Sequence, residues 1–155
     1  MIRKAQQKDI ARINELLHQV LEVHALKRPD IFKPGSKKYT DEQLLEIMAN
    51  VLTPIFVFTN EDDVVLGYCF CIVQETINSN NLRDRKTLYI DDLCVDQNYR
   101  RRHIGQQLFN YVKTYAKTIK CDSITLNVWQ LNQEAMAFYQ KMSMKTLKTV
   151  MEAVL

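Results

Sequence analysis

The tightest constraint on this chain is a change of hydrophobic period. A β-prone stretch from Thr87 to Val95 ends in a polar, basic run from Asp96 to His103. Ile104, Leu108, Val112, Ala116 and Ile119 then recur at helical spacing, and Ser123 to Val128 returns to strand character. Two strands joined through a helix that packs back on their sheet run parallel, with a right-handed crossover. The segment from about Leu88 to Val128 is therefore one strand-helix-strand unit, and the remaining residues have to complete a sheet around it.

Upstream, Ile2 to Ala5 reads as a short strand. Ile10, Ile13, Leu16, Leu17, Val20 and Leu21 give a first helix with Asp9 placed to cap it. Lys27 to Tyr39 holds Pro29, Pro34 and Gly35 and reads as a loop. Thr40 with Gln43 forms a capping box for a second helix carrying Leu44, Leu45, Ile47, Met48 and Val51, which Pro54 ends. Ile55 to Thr59 and Val64 to Thr76 flank the polar turn Asn60 to Asp63, a hairpin whose meander continues through the polar stretch Asn78 to Arg85 into the strand ending at Val95. Beyond Val128, Ala135, Phe138 and Tyr139 begin a last helix, and Lys145 to Leu155 is predicted as a terminal strand. The pattern is a mixed α/β (α+β) chain in a single domain spanning residues 1–155, with no internal repeat.

Composition excludes several classes. Hydrophobic residues make up 46% and charged residues 25%, an ordinary globular balance, and a formal net charge of +3 does not mark a nucleic-acid binder. Three consecutive arginines admit a polyanion-binding reading, but the aromatic interleaving of nucleic-acid readers is missing, so no nucleic-acid partner is expected. Met1 to Ile10 lacks the apolar stretch of a signal peptide, and no apolar run is long enough for a membrane span, so a cytoplasmic protein without a membrane partner is expected. Cys69, Cys71, Cys94 and Cys121 lack zinc-site spacing and His-based metal binding has no supporting cluster, so buried free thiols and no metal are expected. Cys69 and Cys71, two apart on a strand, share one face.

The junction between Val95 and the long helix carries the chemistry. Unpaired amides at a helix start, the helix dipole and nearby guanidinium groups together suit an anion such as a diphosphate. Gly105, without a Cβ, allows a ligand close to the backbone. This bend, Arg100-Arg101-Arg102-His103-Ile104-Gly105, with its flanks Asn98-Tyr99 and Gln106-Gln107-Leu108, resembles the pyrophosphate loop of the GNAT N-acetyltransferase superfamily. His103 stands where that family has its first glycine, and a left-handed φ there is disfavoured for a residue with a side chain. The stretch Asn132-Gln133-Glu134-Ala135-Met136-Ala137-Phe138-Tyr139 resembles the family's Asn-x-x-Ala-x-x-Phe-Tyr helix, while Ser143 and Met144 depart from its usual Gly-Phe.

The resemblance implies the GNAT fold, a mixed central sheet of about six to seven strands flanked by four helices. It also implies acetyl-coenzyme A as cofactor, with coenzyme A as product. Amides from Arg101 to Gln106 would then cradle the pyrophosphate, and the backbone of Leu93, Cys94 and Val95 would pair with the pantetheine arm. Asn132 and Ala135 would lie against the other side of the cofactor, Asn132 serving equally as a helix cap. Tyr139 would protonate the departing thiolate, its alternative being ordinary core packing.

Tyr89-Ile90-Asp91-Asp92 resembles the strand of the superfamily's polyamine acetyltransferases. Asp91 is the implied general base, acting through a water, and Asp92 the acid beside it. Alternation along a strand predicts that only one of the two faces the pocket. Cys94 has no partner base at a suitable spacing, which disfavours an acetyl-enzyme and favours direct attack in a ternary complex. The loop between the first helices is expected to wall the acceptor site through Phe32 and Tyr39, with Glu75 adding charge and Lys33, Lys37 and Lys38 opposing a polycation. The acceptor is a small-molecule amine or a protein amino group, and an exposed terminal strand predicts a homodimer. The alternative to an enzyme is a GNAT-like module that binds coenzyme A without transferring an acyl group.

Overall fold

A computed structural model describes residues 1–155. It contains β1 (Ile2–Lys4), α1 (Ile10–Lys27), α2 (Asp41–Ala49), β2 (Ile55–Thr59), β3 (Val65–Thr76), β4 (Arg85–Val95), α3 (Ile104–Thr118), β5 (Ser123–Leu126) and α4 (Gln133–Lys141). Short 3-10 turns lie at Gln7–Asp9 and Gln97–Tyr99. The five strands form one sheet in the order β1-β2-β3-β4-β5, antiparallel as far as β4, with β4 and β5 parallel. The period change at Val95 therefore marks a parallel crossover, as its spacing requires. No helix is long and apolar enough to cross a membrane.

Side-chain alternation divides the core between the two sheet faces. On one, Val57, Tyr68, Phe70 and Cys94 meet Ile13, Leu16 and Leu17 of α1 and Leu44 of α2. On the other, Phe56, Cys69, Cys71, Leu88 and Ile90 meet Leu108, Phe109 and Val112 of α3. Cys69 and Cys71 do share a face, their Sγ atoms 3.7 Å apart, and all four cysteines are free thiols.

Thr40 and Gln43 form the expected capping box, with the Thr40 side chain accepting from the Gln43 amide at 3.2 Å. Asp9 stands at the N-cap of α1 but caps none of its amides. Its carboxylate turns back to accept from the Gln6 amide at 2.7 Å and pairs with Arg3, also at 2.7 Å, because the stronger charged donor lies behind it.

The sheet has five strands rather than six or seven, and Lys145 to Leu155 is not a strand. A strand exists only through its ladder bonds, and beyond the Met144 amide no residue of this segment donates a backbone hydrogen bond. Glu152 is tied to Arg28 at 3.2 Å, while Leu147, Val150, Met151, Val154 and Leu155 are exposed.

Two helices end in Schellman motifs without glycine. After α4, Ser143 has φ 67° and donates to the Gln140 carbonyl at 2.9 Å, and Met144 donates to Tyr139 at 3.0 Å. After α3, Lys120 has φ 59° and Cys121 donates to Ala116 at 2.9 Å. A left-handed residue with a Cβ is strained, so Ser143→Gly is expected to stabilise the protein by about 1 kcal/mol. The check is a higher urea midpoint at unchanged slope; a lower midpoint would mean that the serine side chain makes a compensating interaction.

Candidate active site

The site is built where β4 and β5 part. Their pairing covers only Thr87–Ile90 with Ser123–Leu126, and the last tie between them is a hydrogen bond from Asn127 Nδ2 to Tyr89 Oη at 3.1 Å. Past that point β5 turns away toward α4, while β4 continues to Val95, held on its other side by β3. The outer edge of β4 from Asp91 to Val95 thus carries unpaired backbone groups, the arrangement that accepts an extended chain as an added strand. Gly67 opposite Val95 is required for this geometry: a Cβ there would lie 2.8 Å from the Cys94 carbonyl oxygen.

The bend after β4 is fixed from below. Asp96 is buried, accepts from the Asn98 amide at 2.9 Å and is ion-paired with Arg12 of α1. None of the backbone N–H groups from Arg100 to Gln106 donates a hydrogen bond within the chain; the first bond of α3 is Gln107 to His103 at 3.0 Å. Arg101 and His103 both have positive φ, 62° and 60°. Such left-handed residues turn successive amides toward one concavity, which suits an anion. The left-handed φ disfavoured for His103 is therefore present: the loop keeps the glycine-like turn with a side chain attached, and His103 Nδ1 lies 3.3 Å from Gln106 Oε1. Arg100 Nε reaches the Val95 carbonyl at 3.4 Å, and Arg102 lies over the Tyr99 ring at 5.2 Å. Ile104 is buried beneath the bend.

α4 closes the opposite side. Asn132 accepts from the Ala135 amide at 3.2 Å and so does serve as the helix cap. Phe138 lies against Gly105, where a Cβ would meet its ring at 3.5 Å. Tyr139 packs beside Phe138 and Phe109, with ring centroids 5.0 and 6.2 Å away. Burial raises the pKa of its phenol, and Cys69 and Asp92 add to the effect.

On the α1–α2 face the two aspartates depart from simple alternation. Phe70 is opposite Asp92 and Cys71 opposite Ile90, so Asp91 is the extra residue of a β-bulge. Both carboxylates therefore face the same side and approach Lys38 Nζ, Asp91 at 3.3 Å and Asp92 at 3.7 Å. Tyr68 Oη donates to Asp92 at 3.1 Å. Burial raises the Asp92 pKa, with Lys38 and Tyr68 working against it. Burial likewise opposes the Lys38 ammonium, yet Asp92 and Asp91 outweigh it and hold its pKa above the usual lysine value.

Of the expected wall residues, Tyr39 stacks on Phe70 with centroids 5.9 Å apart. Phe32 lies between His24 at 5.1 Å and Trp129 at 5.5 Å. Glu75 lies apart from this group: it is paired with Lys86 at 3.3 Å toward the far end of the β3–β4 ladder. Leu93 and Val95 direct their side chains to the α3 face and Cys94 its thiol to α1, where burial pushes the thiol up to about 12. A thiol held in that state is a poor nucleophile. No group of three or more His, Cys, Asp or Glu side chains converges on a point that would hold a metal ion.

Tyr68, Arg12 and Trp129 belong to the site's construction without a role expected from the sequence, and Lys38, expected there as a charge opposing a polycation, instead pairs with the two aspartates. Trp129 alone carried a visible signal, as the single tryptophan, next to the Asn132 motif.

A mixed sheet splayed between two parallel strands, with helices on both faces, is an acyltransferase architecture. The chain belongs to the acetyltransferase (GNAT) family, whose description matches residues 17–144. It is similar to the BH1408 protein of Bacillus halodurans, solved as a variant: 31% identity, TM-score 0.96, covering 100% of this chain and 99% of that one. At lower identity the fold matches glucosamine-6-phosphate N-acetyltransferase from Arabidopsis thaliana, with 22% identity, TM-score 0.73 and coverage of 99% and 97%. It also matches an aminoglycoside acetyltransferase from an uncultured soil metagenomic sample, solved with sisomicin, at 17% identity and TM-score 0.71 over 100% and 94% of the two chains. A search of curated protein sequences gave no significant match.

Proposed function

We propose that this protein transfers an acetyl group from acetyl-coenzyme A to an amine by direct attack in a ternary complex. The observation that carries the proposal is the run of uncommitted amides from Arg100 to Gln106 immediately after a strand edge with unpaired backbone groups. A carrier with a pyrophosphate and an extended, amide-bearing arm fits both at once. The amides of Arg101, Arg102, His103, Ile104, Gly105 and Gln106 hold the pyrophosphate, with Arg100 adding charge. The edge at Leu93, Cys94 and Val95 holds the arm, and α4 from Ala135 to Tyr139 lies against it.

When bound, the thioester supplies an activated acetyl carbonyl. An outward amide of the β4 edge steadies its oxygen, Asp91 takes the proton from the amine, and Tyr139 Oη gives a proton to the sulfur. Phe32 and Tyr39 wall the amine, and Asp92 supplies negative charge beneath it. The amine is a small molecule or a protein amino group. The neighbours solved as glucosamine-6-phosphate and aminoglycoside acetyltransferases show the breadth of acceptors that this fold serves.

A module that binds coenzyme A without transferring acetyl groups was suggested by His103 and Ser143. Both keep the left-handed turns of glycines, which weighs against that reading. The test is release of free thiol from acetyl-coenzyme A with a panel of primary amines, alongside calorimetry with coenzyme A. Acceptor-dependent thiol supports the proposal; binding without it would restore the sensor.

The exposed apolar residues of the 145–155 segment and the unpaired outer edge of β5 fit a homodimer in which each segment pairs with the partner's edge. Light scattering is expected to give twice the chain mass, falling to one when Leu147 and Met151 are both replaced by lysine. A monomeric parent protein would overturn it. Four free thiols, two of them 3.7 Å apart, fit a reducing cytoplasm.

A further inference from the structure

The ammonium of Lys38 has surroundings out of proportion to a surface ion pair. Its backbone is held on both sides. Gly35 donates to Glu22 at 2.8 Å, Tyr39 stacks flat on Phe70, and Thr40 caps α2. Between these anchors the Lys38 side chain runs to β4. Its Nζ lies 3.3 Å from Asp91, 3.7 Å from Asp92 and 5.2 Å from the centre of the Tyr39 ring. Two carboxylates and an aromatic face form a receptor for a primary alkylammonium. The neighbouring Lys37 makes only an exposed pair with Asp41 at 2.8 Å.

The carboxylate pair requires a cation. Asp91 and Asp92 are brought to one face by the bulge, and Asp92 is mostly buried, with 14% of its side chain exposed. Like charges so close are costly unless a positive group lies between them. The chain supplies that group as a primary amine on a four-carbon arm, directly beside the unpaired edge of β4. A tethered amine also has a high effective concentration, far above that of a dilute free acceptor.

We infer that Lys38 is a tethered acceptor: its ammonium fills the acceptor subsite, a free alkylammonium displaces it, and when undisplaced it takes the acetyl group itself. The inference rests on the transferase reading above. In the step, Asp91 removes a proton from Nζ and the freed lone pair attacks the carbonyl carbon of the acyl thioester. The N–C bond forms, the C–S bond breaks, the sulfur takes the proton of Tyr139 Oη, and the nitrogen gives up its second proton to solvent. The products are Nε-acetyl-Lys38 and free thiol, and solvent restores both protonation states.

The test uses the full chain. Incubated with acetyl-coenzyme A and mapped by peptide mass, Lys38 is expected to gain one acetyl group at least about tenfold faster than Lys37 or Lys33, as tethering in a formed site predicts. The rate per chain should not depend on protein concentration, and butylammonium should slow it. A second measurement needs no cofactor: with lysine labelled at Cε, the Lys38 resonance should shift as butylammonium is added, whereas Lys37 should not. Equal labelling of the three lysines, with amines still acetylated and no Lys38 shift, would overturn the inference alone. No thiol release with or without amines would overturn the transferase reading as well, so the two failures are distinguishable.

Discussion

Tyr139→Phe is expected to lower kcat by about 100-fold, the lower end of what a positioned proton donor contributes. Affinity for coenzyme A should change by no more than about twofold, because the substitution keeps the ring that packs on Phe109 and Phe138. Burial raises the phenol pKa and keeps it protonated at neutral pH. As the C–S bond breaks, sulfur gains negative charge in a poorly solvated place, where a hydrogen-bond donor acts strongly. The loss should therefore appear equally in kcat and kcat/KM. Turnover equal to the parent's would return Tyr139 to ordinary core packing.

Asp91→Asn is expected to have an effect of similar size, about 100-fold in kcat near neutral pH, and to change its pH dependence. The carboxylate is the proposed acceptor of the amine's proton. Without it the amine loses its proton only to solvent, so activity should be recovered as pH rises toward the amine's own pKa. The rate profile therefore moves to higher pH, and the deficit is larger at pH about 6 than at about 9. Asn is nearly isosteric and the side chain is 30% exposed, so the fold should tolerate it. A profile superimposable on the parent's would discard Asp91 as base and turn attention to Asp92, whose raised pKa would then fit the role.

What could be read beforehand follows a physical divide. Helix and strand spacing is local information, so the crossover from β4 through α3 to β5 and the Thr40 capping box were legible residue by residue. The bulge at Asp91 was not, because an extra residue is defined only by counting against the partner strand. Alternation wrongly set the two acids on opposite faces. His103 misled in another way: its side chain argues against a left-handed turn, yet a loop fixed by Asp96 and Arg12 imposes one. The same holds at Lys120 and Ser143, in a chain with three glycines and six non-glycine residues at positive φ. Lys145 to Leu155 carries strand-like apolar residues, but whether they pair depends on an edge that they do not contain. Glu75 is expected to add charge to the pocket from the neighbouring strand, yet strand length carries it to the other end of the sheet.

The bulge between Phe70 and Cys71 makes the site's acidity a matter of strand length rather than of composition. Removing residue 91 altogether would leave an unbroken ladder, with Ile90 still facing Cys71 and its neighbour still facing Phe70. The core would be untouched, and only one negative charge would remain beneath the entering amine. A sheet of this kind can thus gain or lose a charge at its reactive edge through a single inserted codon, without moving a hydrophobic side chain.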